Sequence, residues 1–255
     1  WTDQSLYSMQ FIGAPFTFGV SLIGDNTRIA GPNTAIAVND IVFWMGQENF
    51  YLYDGRIQAI PCTVRDYVFG DMNNQQSFKF HVGSIASQTE VWWFYCSSGS
   101  TEIDRYVVYN YGQQVWYYGE LVRTAWNDRA SGLRSFPQAT GVDTYLYNHE
   151  DGDDDFSTGS AVAINAFVES SDFDIGDGQQ FMLVNRIIPD LTFDGSSTSN
   201  PAAKFTVKSR DFSGDSFTES ASGSAIRTAT SPVEQYTDKI DLRARGRQMA
   251  IRVEK

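Results

Sequence analysis

Histidine and cysteine are nearly missing: two of each in 255 residues. The chemistry those residues usually carry therefore has little to work with. There is no CxxC pair to hold a metal, and the spacing of Cys62 and Cys96 suggests no disulfide. Both lie in or beside apolar strands and read as buried thiols in a reducing compartment, behaving as small hydrophobes. His81 falls in a strand (KFHVG) and His149 in a turn (NHEDG), neither beside a nucleophile motif. GxSxG, HExxH, P-loop and GxGxxG patterns are absent, as is the SxDxGxTW box of sialidase propellers. Apolar runs stop after a few residues, far short of the ~20 a helix needs to cross a bilayer, so no membrane insertion is expected. The chain shows no signal peptide and begins at Trp1 without an initiator Met, which reads as a processed chain or a piece of a longer one.

Positive charge is scarce as well. Lys and Arg number 19 against 31 Asp and Glu, a net charge of −12. The imbalance is uneven: residues 1–160 hold 8 basic against 18 acidic side chains, and residues 161–255 hold 11 against 13. Gripping nucleic acid by its phosphates needs clustered Lys and Arg that displace counterions. An acidic surface is instead suited to standing around a polyanion without holding it.

Aromatic side chains, by contrast, are plentiful, at 15% of residues. They concentrate in two stretches, IVFWMGQENFYLYDGR (41–56) and VWWFYCSSGSTEIDRYVVYNYGQQVWYYGEL (91–121). Each reads as an aromatic strand, a polar turn, a second strand ending in a Tyr-rich DG or YG step, and a further strand. Asp54-Gly55 is a dipeptide favoured in tight hairpin turns, because Gly tolerates positive φ. Val64, Tyr67, Val68 and Met72 fall at helical spacing, which predicts a short helix between the two stretches. TYLYNHEDG (144–152) echoes NFYLYDG as a fainter third copy. Repeats of four short strands predict β-propeller blades over residues 1–155; a plain β-sandwich is the competing architecture.

After the acidic stretch DGDDDFSTGS the aromatics thin out. Residues 156–255 read as a second antiparallel, sandwich-like β-region that continues beyond Lys255. In DLRARGRQMAIRVEK the apolar positions change parity, from Leu242 and Ala244 to Met249, Ile251 and Val253. A single strand with a bulge at Gly246 would absorb the extra residue.

Candidate sites are few. Asp151, Asp153 and Asp155 have the alternate spacing of a calcium loop, but Phe156 and Val162 stand where such a loop needs Gly and Glu, so a solvated loop is the expectation. Asp172, Asp174 and Asp177 form a second acidic loop. Arg243, Arg245 and Arg247 form a basic ladder, expected to guard an exposed edge or to pair with a neighbouring subunit. Adjacent aromatics such as Trp92 with Trp93 and Tyr117 with Tyr118 must point to opposite faces; one of each pair is expected in the core, and the other is a candidate sugar or partner platform. Paired carboxylates for glycoside hydrolysis remain an option on composition alone.

Taken in order, FWMGQENFYLYDGRIQAIPC, EVWWFYCSSGSTEIDRYVVYNYGQQVWYYGELVRTAW, LYNHEDG, IGDGQQFMLVNRIIPD and RARGRQMAIRVEK make the chain resemble the tail nozzle, or packaged-DNA stabilisation, proteins of short-tailed bacteriophages. The resemblance covers most of the chain and rests on structural strands and turns. It implies a non-enzymatic, cofactor-free structural subunit of the virion, assembled in the host cytoplasm as a ring, usually six-fold. Its partners would be further copies of itself, the portal and adaptor proteins, and the tail needle or fibre proteins. DNA would pass through without specific binding, and Asp153 and Asp154 are the lumen-lining candidates. The alternative is a carbohydrate-binding or glycan-hydrolysing propeller of a phage tail.

Overall fold

The computed structural model describes residues 1–2, 4–128, 136–143, 145–152, 154–156, 159–164, 166–194, 196, 199–215, 217–219, 225–226 and 228–255. The chain is all-β, its strands arranged in several antiparallel sheets. It divides into two compact units, Trp1–Asp153 and Asp154–Lys255.

Unit 1 opens with a two-stranded hairpin, β1 (Ser5–Phe11) and β2 (Phe18–Asp25). Two four-stranded meanders follow, in which each strand pairs with the next in sequence. The first comprises β3 (Ala35–Val38), β4 (Ile41–Met45), β5 (Phe50–Tyr53) and β6 (Ile57–Ile60). Asn39 and Asp40 join β3 to β4 with φ of 50° and 63°, the left-handed pair that matches a hairpin to the strand twist. The expected short helix is present as α1 (Arg65–Asp71), which buries Val68. The second meander comprises β7 (His81–Ile85), β8 (Glu90–Tyr95), β9 (Arg105–Asn110) and β10 (Val115–Glu120). The third aromatic copy lies on a smaller sheet of β11 (Ala125–Asn127), β12 (Gln138–Thr140) and β13 (Leu146–Asn148).

The two meanders share one core, and Trp126 of β11 packs against it. Every residue of β8 is buried, so both faces of this strand are covered. Trp93 points toward the first meander, its ring 4.9 Å from Phe50. Trp92 points the other way and stacks on Trp126 at 5.4 Å. Gly83 on β7 makes room for that contact: a Cβ there would sit 2.2 Å from the Trp126 ring. Three indole N–H groups reach carbonyls on adjoining segments. Trp93 donates to Thr34 O at 3.0 Å, Trp116 to Pro61 O at 2.8 Å and Trp126 to Ser84 O at 3.0 Å. Each ring thus buries apolar area while its polar tip is satisfied. The leading strands are also neighbours. Val82 N–H of β7 donates to Asn33 O, just before β3, at 3.0 Å, and β7 lies beside β11.

Unit 2 begins with the short pair β14 (Asp154–Asp155) and β15 (Val162–Ala163). Its largest sheet is built on β24 (Gln248–Glu254). One edge of β24 pairs with β16 (Phe167–Glu169) and β17 (Phe173–Asp174); the other pairs with β19 (Ala202–Arg210), which in turn pairs with β22 (Thr228–Glu234). Between β19 and β22 lies the small pair β20 (Thr218–Glu219) and β21 (Ala225–Ile226). A second sheet pairs β18 (Met182–Ile187) with β23 (Ile240–Gly246). Met182, Val207, Ala244 and Met249 form one core cluster, and Phe205, Val233 and Ile240 another. Both draw side chains from the two sheets. On the opposite face of the larger sheet, Glu169 pairs with Lys208 at 2.7 Å and Arg252 at 3.3 Å, and Glu254 pairs with Arg252 and Lys204.

The parity change at the end of the chain has a different cause from the expected bulge. At Arg247 the chain leaves the sheet of β18 and enters that of β19, so β23 and β24 belong to different sheets. Each half points its apolar side into the same space, which reverses the parity. Gly246 is needed at the crossing, where a Cβ would stand 2.8 Å from the Arg210 carbonyl oxygen. The next amide, Arg247 N–H, donates to that same oxygen at 2.9 Å.

Candidate functional site

The proposed calcium loop does not assemble among the described residues. Asp151 is exposed and accepts from Asn148 Nδ2 at 3.4 Å, and Asp155 is exposed on β14. Asp153 lies outside the described residues, and no group of three metal-ligating side chains gathers among those described. Asp154, the other lumen candidate, is exposed on β14. The second acidic loop serves the larger sheet of unit 2: Asp172 pairs with Arg210, and Asp174 accepts from Gln248 Nε2 at 3.4 Å.

The aromatic platform is where the expectation fails. Trp93 is 0% exposed and Trp92 only 8%, so neither offers a ring to a sugar. The reason is the layering around β8: one face is closed by the first meander and the other by Trp126. Of the second pair, Tyr117 is half-buried and Tyr118 is exposed, its ring tilted against Tyr67 with centroids 4.1 Å apart.

Both histidines are built into packing. His81 lies flat on Phe94 at 4.8 Å, and burial lowers its pKa. His149 packs on Trp126 at 4.7 Å, and its Nε2 accepts from Arg123 Nε at 2.8 Å. Burial, reinforced by the Arg123 charge, lowers its pKa from 6.5 to about 4. The native state therefore holds a neutral ring, while the unfolded chain binds a proton near pH 6.5. Stability contributed by this site is complete above pH 6.5 and is lost as pH falls toward 4, by about 3 kcal/mol in total. All six tryptophans lie in unit 1, so urea titrations followed by Trp fluorescence at pH 7 and 4.5 read this unit. His149→Gln, which keeps a neutral acceptor, should flatten the dependence; an unchanged slope would place the proton uptake elsewhere.

Cys62 and Cys96 are free thiols, both pushed up to about 11 chiefly by burial. High thiol pKa values suppress the thiolate and with it nucleophilic reactivity.

A carboxyl overlooked in the sequence occupies a central position. Glu90, at the start of β8, is 6% exposed. It accepts from Trp92 Nε1 at 3.0 Å and from the Tyr117 hydroxyl. Burial, then the bond to Glu90, raises the Tyr117 pKa. The available signal was an acid directly preceding the apolar run VWWFY. A polar cavity of about 300 Å³ lies elsewhere, lined by Ala30, Gln47, Glu48, Asn74 and Ser77. It presents one carboxyl, Glu48, and one hydroxyl, Ser77, with no histidine in its lining.

The Arg ladder differs from the basic residues of β19 and β24. Arg243 and Arg245 are exposed, and Arg245 and Arg247 lie over the Phe181 ring at 4.3 and 5.0 Å. None of the three joins an ion pair among the described residues, whereas Lys204, Lys208, Arg210 and Arg252 are all paired. No protein-family model matches the chain, and no curated protein matches it at a significant level.

Proposed function

We propose that the chain is a structural subunit of a bacteriophage tail nozzle, a ring-forming β-propeller protein followed by a sandwich-like region, through which the genome is retained and then ejected. The observation that carries this reading is the succession of meanders in unit 1. The leading strands β3, β7 and β11 lie side by side, and the later strands run outward from them in sequence order. Successive blades set around an axis share this arrangement. The tryptophans between the sheets act as mortar, which leaves them no ligand to bind.

The charge balance supports a conduit. With a net charge of −12, the walls repel phosphates, and DNA slides past without the counterion-release attraction that basic walls create. A closed ring of identical subunits uses heterologous contacts, and Arg243, Arg245 and Arg247, which join no ion pair among the described residues, are suited to meet acidic side chains of a neighbour. The glycan-directed alternative loses its best platform with the burial of Trp92 and Trp93.

The test is negative-stain imaging of the protein alone and with its portal-side partner. Rings with an axial channel are the expected result. A protein that stays monomeric in the partner's presence would overturn the reading, and hydrolysis of host surface glycan would replace it with the alternative.

A further inference from the structure

The β1–β2 hairpin leaves a whole apolar face in water. Its pairing sets Tyr7 opposite Leu22, Met9 opposite Val20 and Phe11 opposite Phe18. Alternate residues share a face, so these six side chains lie together, with Ser8, Gln10, Gly19 and Ser21 on the reverse. Exposure among the six runs from 45% at Tyr7 to 73% at Phe11. The root of the hairpin is anchored: Leu6 is buried, Ser5 Oγ donates to Asp25 at 2.6 Å, and Thr27 N–H donates to Gln4 O at 3.1 Å. Beyond that root no third strand joins the pair among the described residues. A lone two-stranded hairpin is marginal in water, and exposing an aromatic face makes it worse.

Weighted by exposure, the six side chains present on the order of 800 Å² of surface. That exceeds the ~300–600 Å² of the largest apolar patch on an ordinary monomer. It matches one side of a standard protein interface, about 800 Å². Composition points the same way: residues 4–24 contain no charged side chain, although 20% of the chain is charged. Interface cores are likewise rich in aromatics and Met and poor in charge.

We infer that this face is buried against a second copy of the chain. An uncharged patch carries no electrostatic address for a foreign partner. It also offers no Lys or Arg to lipid head groups, while the net charge of −12 opposes approach to an anionic membrane. A second copy needs neither. The inference names a subunit contact for the proposed ring and in that respect rests on the conduit reading.

The test compares the full chain with Met9→Lys/Val20→Glu by sedimentation velocity. These two positions are cross-strand partners, so opposite charges there favour the hairpin itself while spoiling an apolar contact. Met9→Leu/Val20→Ile preserves the face and controls for folding, as does an unchanged urea midpoint. The wild type and the Leu/Ile variant should be oligomeric, and the charged variant should associate on the order of 100-fold more weakly. Should the wild type stop at two copies, the hairpin contact stands and the ring reading fails. If the charged variant assembles like wild type, the hairpin contact is wrong and the ring is untouched. A wild type monomeric at about 100 μM, where any interface tighter than ~10 μM is populated, overturns the inference. Binding of that monomer to phosphatidylcholine vesicles would assign the face to lipid instead.

Discussion

Trp93→Ala should destabilise unit 1 by about 4 kcal/mol, near the top of the range for a point substitution. The indole is fully buried and touches both meanders: it hydrogen-bonds Thr34 O, and its ring lies 4.9 Å from Phe50 and 6.1 Å from Trp116. Its deletion leaves a cavity walled by rings on rigid strands, which cannot collapse inward. The hydrogen bond adds little to the loss, because Thr34 O also accepts from Met45 N–H at 3.1 Å. Trp93→Phe keeps most of the ring and should cost about 1–2 kcal/mol. Urea unfolding followed by the remaining tryptophans would measure both. A Trp93→Ala penalty near 1 kcal/mol would show that the meanders move together to fill the gap.

Glu90→Ala should cost about 3 kcal/mol, through a different mechanism. Two donors, the Trp92 indole and the Tyr117 hydroxyl, lose their acceptor, and each unsatisfied buried group costs ~1–3 kcal/mol. Glu90→Gln keeps an acceptor and should cost about 1 kcal/mol. Tyrosine absorbance provides an independent readout. Glu90 contributes to the raised pKa values of Tyr117 and Tyr106, so its removal should bring both tyrosines to titrate at lower pH. If Glu90→Ala proves nearly neutral and the titration is unmoved, water reaches both donors and the buried-acceptor account fails.

The meanders were legible because short-range signals set them. Asn39-Asp40 and Asp54-Gly55 supply the turns, and the runs beside them alternate or fill with aromatics as strands do. The calcium loop reads as a solvated loop because Phe156 and Val162 stand where such a loop needs Gly and Glu. Other features depend on partners distant in sequence. One of Trp92 and Trp93 reads as exposed because nothing local announces that Trp126 covers the Trp92 face. Gly246 reads as a bulge because a parity change looks the same whether a strand swells or changes sheets; only the partners, β18 and then β19, distinguish the two. Glu90 was overlooked since a lone acid before a hydrophobic run resembles a strand cap, and its acceptor role appears only when Tyr117 arrives from β10.

The crossing at Arg247 also separates the two units kinetically. In unit 1 the strands within each sheet are sequence neighbours joined by connections of about ten residues or fewer, so closure costs little entropy and the sheets can form as local hairpins. In unit 2 one continuous segment must satisfy β18 on one side of the crossing and β16, β17 and β19 on the other. Loops of that length are closed before any contact repays them, and topologies dominated by distant pairings fold slowly. Unit 1 is thus built to fold early and piecewise. Unit 2 should complete its sheets later, around residues 240–254, with its strand edges open to neighbouring chains until then.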